Sequence, residues 1–167
     1  DASSAERESF RPASQDDLAP PGATAKLRAN LDALEIVRRC RDEDRAANPA
    51  EQAALARWAG WGSIPQVFDD TDDRFPAERA QIRQLLGTEE AWSQARRTTL
   101  NAHYTSASVV TAMWSAVRDL GVDGPVRVLE PGCGSGNFLG FAPLDAVLTG
   151  VELDPTTAVI ARHLYGA

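Results

Sequence analysis

From position 23 onward, apolar residues recur at helical spacing. Leu27, Leu31, Leu34, Val37 and Cys40 share one face, leaving Lys26, Arg28, Asp32, Arg38 and Arg41 to solvent, so an amphipathic helix is predicted from Ala23 to about Arg45. Asn48-Pro49 suits the first turn of a second helix, which Ala53, Leu55, Ala56 and Trp58 carry to Gly60. Phe75 to Leu86 and Thr88 to Thr99 read as two more, separated at Gly87. Thr88 before Glu89 and Glu90 is a start signal, because carboxylates favour the positive end of a helix. Ser106 to Leu120 is a fifth, with Val109, Val110, Met113, Trp114, Val117 and Leu120 as its apolar face.

The period then changes. Gly121 and Gly124 break the helical pattern, Val126, Val128 and Leu129 read as a buried strand, Ala146 to Val151 as a second, and Thr156 to Leu164 as a helix. Ahead of all this, residues 1–22 are rich in Ser, Pro, Asp and Ala without apolar period, and predict an extended or disordered lead-in closed by Pro20-Pro21-Gly22. The expected organisation is α/β: a lead-in (1–22), a helical N-terminal region (23–100), and the first part of a parallel-sheet domain (101–167). Asp1 in place of Met, and an end at Ala167 just as a new α/β repeat has begun, read as an excised piece of a longer protein.

Two cysteines, Cys40 in a charged helix and Cys133 in a glycine turn, are too few for a disulfide framework or metal cluster, which makes a reducing compartment the default. No apolar run approaches a membrane span and no signal-peptide core is visible, so a soluble, cytoplasmic protein is expected. A net charge of -7 argues against coating nucleic acid by charge alone. Ala91 to Arg118 nevertheless contains no acid and carries Arg96, Arg97, His103 and Arg118, a local basic face. The Trp58/Trp61 turn reads as an aromatic-pinned helix cap rather than a ligand box, and the Asp69–Asp73 run as a solvated loop lacking the glycine and distal glutamate of a calcium loop.

The chemistry is concentrated in VRVLEPGCGSGNF, Val126 to Phe138, where a strand ends in an acid and enters a glycine-rich turn. Ligands in parallel α/β sheets settle beyond the carboxyl ends of the strands, where glycines allow close backbone approach. Gly132, Gly134 and Gly136 are spaced G-x-G-x-G, with Asn137 where a dinucleotide fingerprint needs a small residue. A phosphate loop fits no better, since the one lysine, Lys26, is far upstream. Glu130 before the turn and Glu152 after the second strand would repel a pyrophosphate but suit a ligand with an ammonium or sulfonium group and a ribose diol, which a carboxylate can bind bidentately. S-adenosylmethionine has that chemistry. A tight turn packing strand to helix also explains the glycines, but gives the two acids no role.

LEPGCGSGNF resembles motif I of the class I S-adenosylmethionine-dependent methyltransferases, with their Rossmann-like fold, and GVELDP resembles their ribose-binding motif. The form with Glu130, Pro131, Gly134, Gly136 and Phe138 is most similar to N6-adenine DNA methyltransferases, and Asn101 to Ser106 is similar in place and order to their Y-T-P motif, with Ser106 in place of proline. The lead-in from about residue 11, AKLRANLDAL, RWAGWGSIPQVFD and RRTTLNAHYTS resemble the N-terminal part of large bacterial and phage proteins that join such a methylase to a helicase, some of them in restriction, anti-restriction or phage-defence systems. The resemblance implies that Glu130, Gly132, Cys133, Gly134 and Phe138 surround the methionine part of the cofactor and Tyr104 and Thr105 close over its carboxylate. It further implies that Glu152 holds the ribose, Leu153 packs on the adenine, and Asp154 either contacts the adenine amine or caps the following helix. For Tyr104 and Thr105 the plain alternatives are an aromatic at a helix start and an N-cap.

The resemblance implies DNA as a partner of the whole protein. It also implies an [NDS]-P-P-[YFW] segment to hold the target amine, and this chain has none; its only Pro-Pro is Pro20-Pro21. The chain alone is therefore expected to be inactive, and Cys133, in the cofactor turn, is not expected to act as a nucleophile. Two other functions remain open: a methyltransferase acting on RNA, protein or a small molecule, and a non-catalytic helical interaction or DNA-positioning module.

Overall fold

The computed structural model describes residues 9–122 and 124–166. Five helices come first: α1 (Ala23–Asp42), α2 (Pro49–Leu55), α3 (Pro76–Leu86), α4 (Glu89–Thr98) and α5 (Ala107–Asp119). Strand β1 (Arg127–Pro131), the short helix α6 (Asn137–Gly140), strand β2 (Val147–Val151) and helix α7 (Pro155–Tyr165) follow. The strands pair in parallel, with Val128 opposite Leu148 and Glu130 opposite Gly150. The chain is thus mostly helical, with a two-stranded parallel sheet.

Helix α1 buries the predicted Leu27, Leu31, Leu34 and Cys40, and with them Asn30, which sits within the same stripe. Helix α2 starts at a capping box between Asn48 and Glu51, but ends at Leu55 rather than Gly60. Tighter turns at Arg57 and Trp58 replace its last turn and swing both tryptophans inward. Trp58 and Trp61 meet edge to face at 5.4 Å, and Trp61 meets Phe68 in the same way at 5.2 Å, so this aromatic turn fills the core between α1, α2 and α3. Ile160 and Leu164 of α7 belong to that same core.

Arg79 of α3 reaches under the acidic loop and donates to the main-chain oxygens of Val67, Asp69 and Asp72, which fixes the loop by its backbone. Among the described residues no group of His, Cys, Asp and Glu is arranged to hold a metal ion, and no helix is long and apolar enough to cross a membrane.

The second core is small. Val110 and Trp114 of α5 pack with Ala142, Phe138 and Phe141 against Val128 and Leu148, covering one face of the sheet. The expectation of buried strands fails on the other face, where Leu129 is 63% and Val147 60% exposed, because no layer of the described residues covers it. The predicted apolar face of α5 is likewise only part buried: Val110 and Trp114 face the sheet, while Val109, Met113 and Leu120 are exposed. Five of these apolar positions on the thirteen helical residues, with Leu120 just beyond at the C-cap, span more of the helix surface than a two-stranded sheet can cover.

The first eight residues of the expected lead-in lie outside the described residues. Residues 9–22 form no helix or strand apart from one 3-10 turn at Gln15–Asp17, and they are pinned: Phe10 N donates to Leu164 O, and Leu18 is buried.

Glu51 ties the end of α1 to the start of α2. Its carboxylate accepts from Arg45 at 2.6 and 2.8 Å and from Asn48 N at 3.0 Å, and these bonds, Arg45 first, lower its pKa from 4.5 to about 2. A folded-state pKa below the unfolded one means that the contribution is complete above about pH 4.5 and is lost as pH falls towards 2. Glu51→Gln should cost about 2 kcal/mol at pH 7. Urea denaturation across the acid range should show the variant and the parent chain converging as pH falls through that window.

Candidate functional site

At the carboxyl ends of the two strands the chain forms a cleft of about 490 Å³. The glycine turn after β1 (Gly132, Gly134), the residues after β2 (Glu152, Leu153, Asp154) and Tyr104 line it, together with the end of α4 and the segment after it, including Arg97 and Asn101. Six of the twelve residues predicted for cofactor binding therefore meet in one concave surface.

Glu152 is its organising group. One carboxylate oxygen accepts from Gly134 N at 2.9 Å and the other from Asp154 N at 2.8 Å, so this side chain joins the two strand ends. Each oxygen keeps a lone pair for a further donor. Leu153 is 95% exposed and presents an apolar surface at the rim. Asp154 takes the capping role: it accepts from Thr157 N at 2.8 Å and Thr157 Oγ1 at 2.7 Å at the start of α7.

Tyr104 forms the opposite wall, lying against Gly134, and it is held from behind. Trp58 Nε1 donates to Tyr104 Oη at 3.0 Å and lies 3.2 Å from Thr157 Oγ1. Behind Trp58, the fully buried Asn30 donates to Gly60 O at 2.7 Å and accepts from Ala59 N at 2.8 Å. Gly62 fits so closely under Ala102 that a Cβ there would overlap its carbonyl. Burial raises the Tyr104 pKa well above that of a free phenol, with Thr157 and Trp58 opposing the shift, so the hydroxyl stays protonated at neutral pH.

The helical core thus meets the cleft wall through the Trp58 indole N–H as well as through the close packing of Gly62 under Ala102. The sequence pattern alone marks neither Trp58 nor Asn30 as a site residue. The available signal was a polar side chain at position 30, three residues from Leu27 and four from Leu34, on a stripe otherwise apolar.

The other predicted residues are placed elsewhere. Thr105 faces a neighbouring cleft, its carbonyl accepting from Asn137 Nδ2 at 2.9 Å, and the N-cap of α5 is Ser106 rather than Thr105. Phe138 packs in the small core beneath the sheet, its carbonyl accepting from Trp114 Nε1, and Gly136 abuts Tyr165. Glu130 and Pro131 end β1 without lining the cleft. Cys133 packs its sulfur toward Gly150. Burial first, then Glu152 and Glu130, raise its pKa, which keeps the thiol neutral at pH 7.

Two glycines of the turn can be told apart. Gly134 has φ +57°, and a Cβ there would lie 2.5 Å from Tyr104 Cε1, whereas Gly132 has φ +77° with open space around a Cβ. Gly132→Ala should therefore cost about 1 kcal/mol of backbone strain. Gly134→Ala should cost at least about 2 kcal/mol because the tyrosine must move as well. Comparing the two urea midpoints checks this order.

No family model matches the chain, and no solved structure does. A curated relative does match: a type II methyltransferase, M.XamI, of Xanthomonas campestris pv. amaranthicola, is 41% identical over 64 residues, a stretch that is 36% of this chain and 12% of that protein. Over that stretch the chain is similar to a methyltransferase, of whose length it spans about an eighth.

Proposed function

We propose that this chain is the S-adenosylmethionine-binding part of a DNA methyltransferase specific for the N6 amine of adenine. The observation that carries the reading is that the glycine turn, Glu152 and Leu153 line one cleft of about 490 Å³. That volume is within the roughly 300–1,000 Å³ usual for small-molecule sites. The donor set fits the cofactor. Glu152 can accept from a ribose diol while keeping both of its main-chain bonds, Leu153 can cover one face of an adenine, and Tyr104 closes the side over Gly134.

S-adenosylmethionine bound there would supply the methyl group; the residues of this chain bind and orient it. The residues that would accept from the target amine are not in this sequence, so the transfer belongs to a catalytic half of a parent protein. On the sequence resemblance that parent acts on DNA, carries a helicase region, and serves restriction, anti-restriction or phage defence. The similarity to a type II methyltransferase supports the class of chemistry.

A thermal-shift comparison separates this cofactor from others. S-adenosylmethionine and S-adenosylhomocysteine should each raise the melting temperature in proportion to the logarithm of their concentration, while NAD and ATP should not. Stabilisation by NAD or ATP alone would assign the cleft to another cofactor. With a tritiated methyl donor, the 167-residue chain is expected to label no adenine-containing DNA; measurable transfer would show that the chain carries catalytic groups of its own.

A further inference from the structure

Behind the His103–Tyr104 wall lies a second and larger cleft, of about 730 Å³, lined by the lead-in, the start of α1, the aromatic turn and the start of α5. It shares Ala102, His103 and Tyr104 with the first cleft, so the two adjoin along that segment. Its walls carry Lys26, Arg57 and His103 against one acid, Asp16, with Ser106 and Asn137 as neutral hydrogen-bonding groups.

The state of Lys26 and Arg57 is unusual for this chain. The ion pairs of the described residues are made by arginines on the second half of α1, the loop after it, the acidic loop and α3. Neither Lys26 nor Arg57 pairs with a carboxylate among the described residues, and Arg57 donates only to the main-chain oxygen of Asp16. In a protein of net charge -7, where carboxylates outnumber lysine and arginine, the chain's one lysine stands half-buried without one among the described residues.

We propose that this second cleft seats the phosphodiester backbone of a DNA strand, with Lys26 and Arg57 each meeting a phosphate. A strand held there would pass the shared His103–Tyr104 wall, alongside the cofactor cleft rather than in it. Choosing DNA as the source of the phosphates rests on the methyltransferase reading; the match of unpaired cations to a polyanion does not. The contacts are to the backbone and would position the strand without reading its sequence.

The test is fluorescence anisotropy of a labelled DNA duplex titrated with the 167-residue chain over a series of salt concentrations. The parent chain should bind at low salt. The double variant Lys26→Gln/Arg57→Gln should bind about tenfold or more weakly and flatten the slope of log K against log salt by about 1.8, two phosphate contacts at about 0.9 each. Arg38→Gln/Arg41→Gln, which removes the same charge from the ion-paired side, should leave the slope nearly unchanged. S-adenosylhomocysteine affinity measured on the same variants should stay at the parent value, because Lys26 and Arg57 do not line the cofactor cleft.

Loss of cofactor binding by the parent chain with DNA binding intact would remove the cofactor reading and leave this one standing. No DNA binding at low salt would overturn the proposal, as would equal effects of the two double variants. Competition by inorganic phosphate or by poly-glutamate as effective as by unlabelled duplex would overturn it too, reassigning the cleft to a free phosphate or an acidic protein.

Discussion

Glu152→Ala is expected to weaken binding of S-adenosylhomocysteine about 100-fold. Two charge-assisted hydrogen bonds to a ribose, at about 1.5 kcal/mol or more each, amount to about 3 kcal/mol. The same change strands Gly134 N and Asp154 N, which now donate to the carboxylate, so a fall in thermal stability should accompany the loss of affinity. Glu152→Gln separates the two effects. An amide can still accept from one of these main-chain groups but brings a donor to the other, so it should recover some stability and little affinity. Calorimetric titration and thermal melts on the same samples read both. Unchanged affinity in Glu152→Ala would take the ribose out of Glu152's reach.

Trp58→Ala should be the most destabilising single change in the helical core, at about 3–5 kcal/mol, a large share of the roughly 5–15 kcal/mol that domains have in total. Its ring is 1% exposed and packs edge to face on Trp61, and its N–H meets both Tyr104 and Thr157. The telling variant is Trp58→Phe, which keeps an aromatic ring in the core but removes the N–H. It should cost about 1–2 kcal/mol in urea denaturation and lower cofactor affinity about fivefold, because Tyr104 is no longer held over Gly134. Trp92→Phe, in the same core beside Phe68 and Arg83, should lower stability without touching affinity. Equal affinity losses in both phenylalanine variants would mean that the core acts on the cleft only through general stability.

These two side chains mark what could and could not be read from the sequence. Glu152 was legible because strand patterning and the glycine turn bound it to a position, the end of the second strand, where α/β sheets place ligands. What the pattern could not convey is that its carboxylate is already bonded to two main-chain N–H groups, since that depends on how the turn closes. The helices were legible from periodicity and caps: Thr88 starts α4 and Gly87, left-handed, ends α3, as their types require.

Burial was less legible. Leu129, Val147 and Met113 are apolar, but a residue is buried only where another layer meets it, and one face of this sheet has none among the described residues. Periodicity likewise could not bring Trp58 and Asn30 to the site. Their part depends on bonds that join residue 30 to residues 59 and 60, and residue 58 to residues 104 and 157, which no local pattern encodes.

The most direct test of the cofactor cleft is a titration of the ¹⁵N-labelled chain with S-adenosylhomocysteine, followed by amide chemical shifts. Saturable shifts are expected at Gly132, Gly134, Glu152, Leu153 and Asp154, with Ile82 and Leu31 in the helical core unmoved. Shifts absent at saturating ligand, or centred away from the two strand ends, would contradict the cofactor reading.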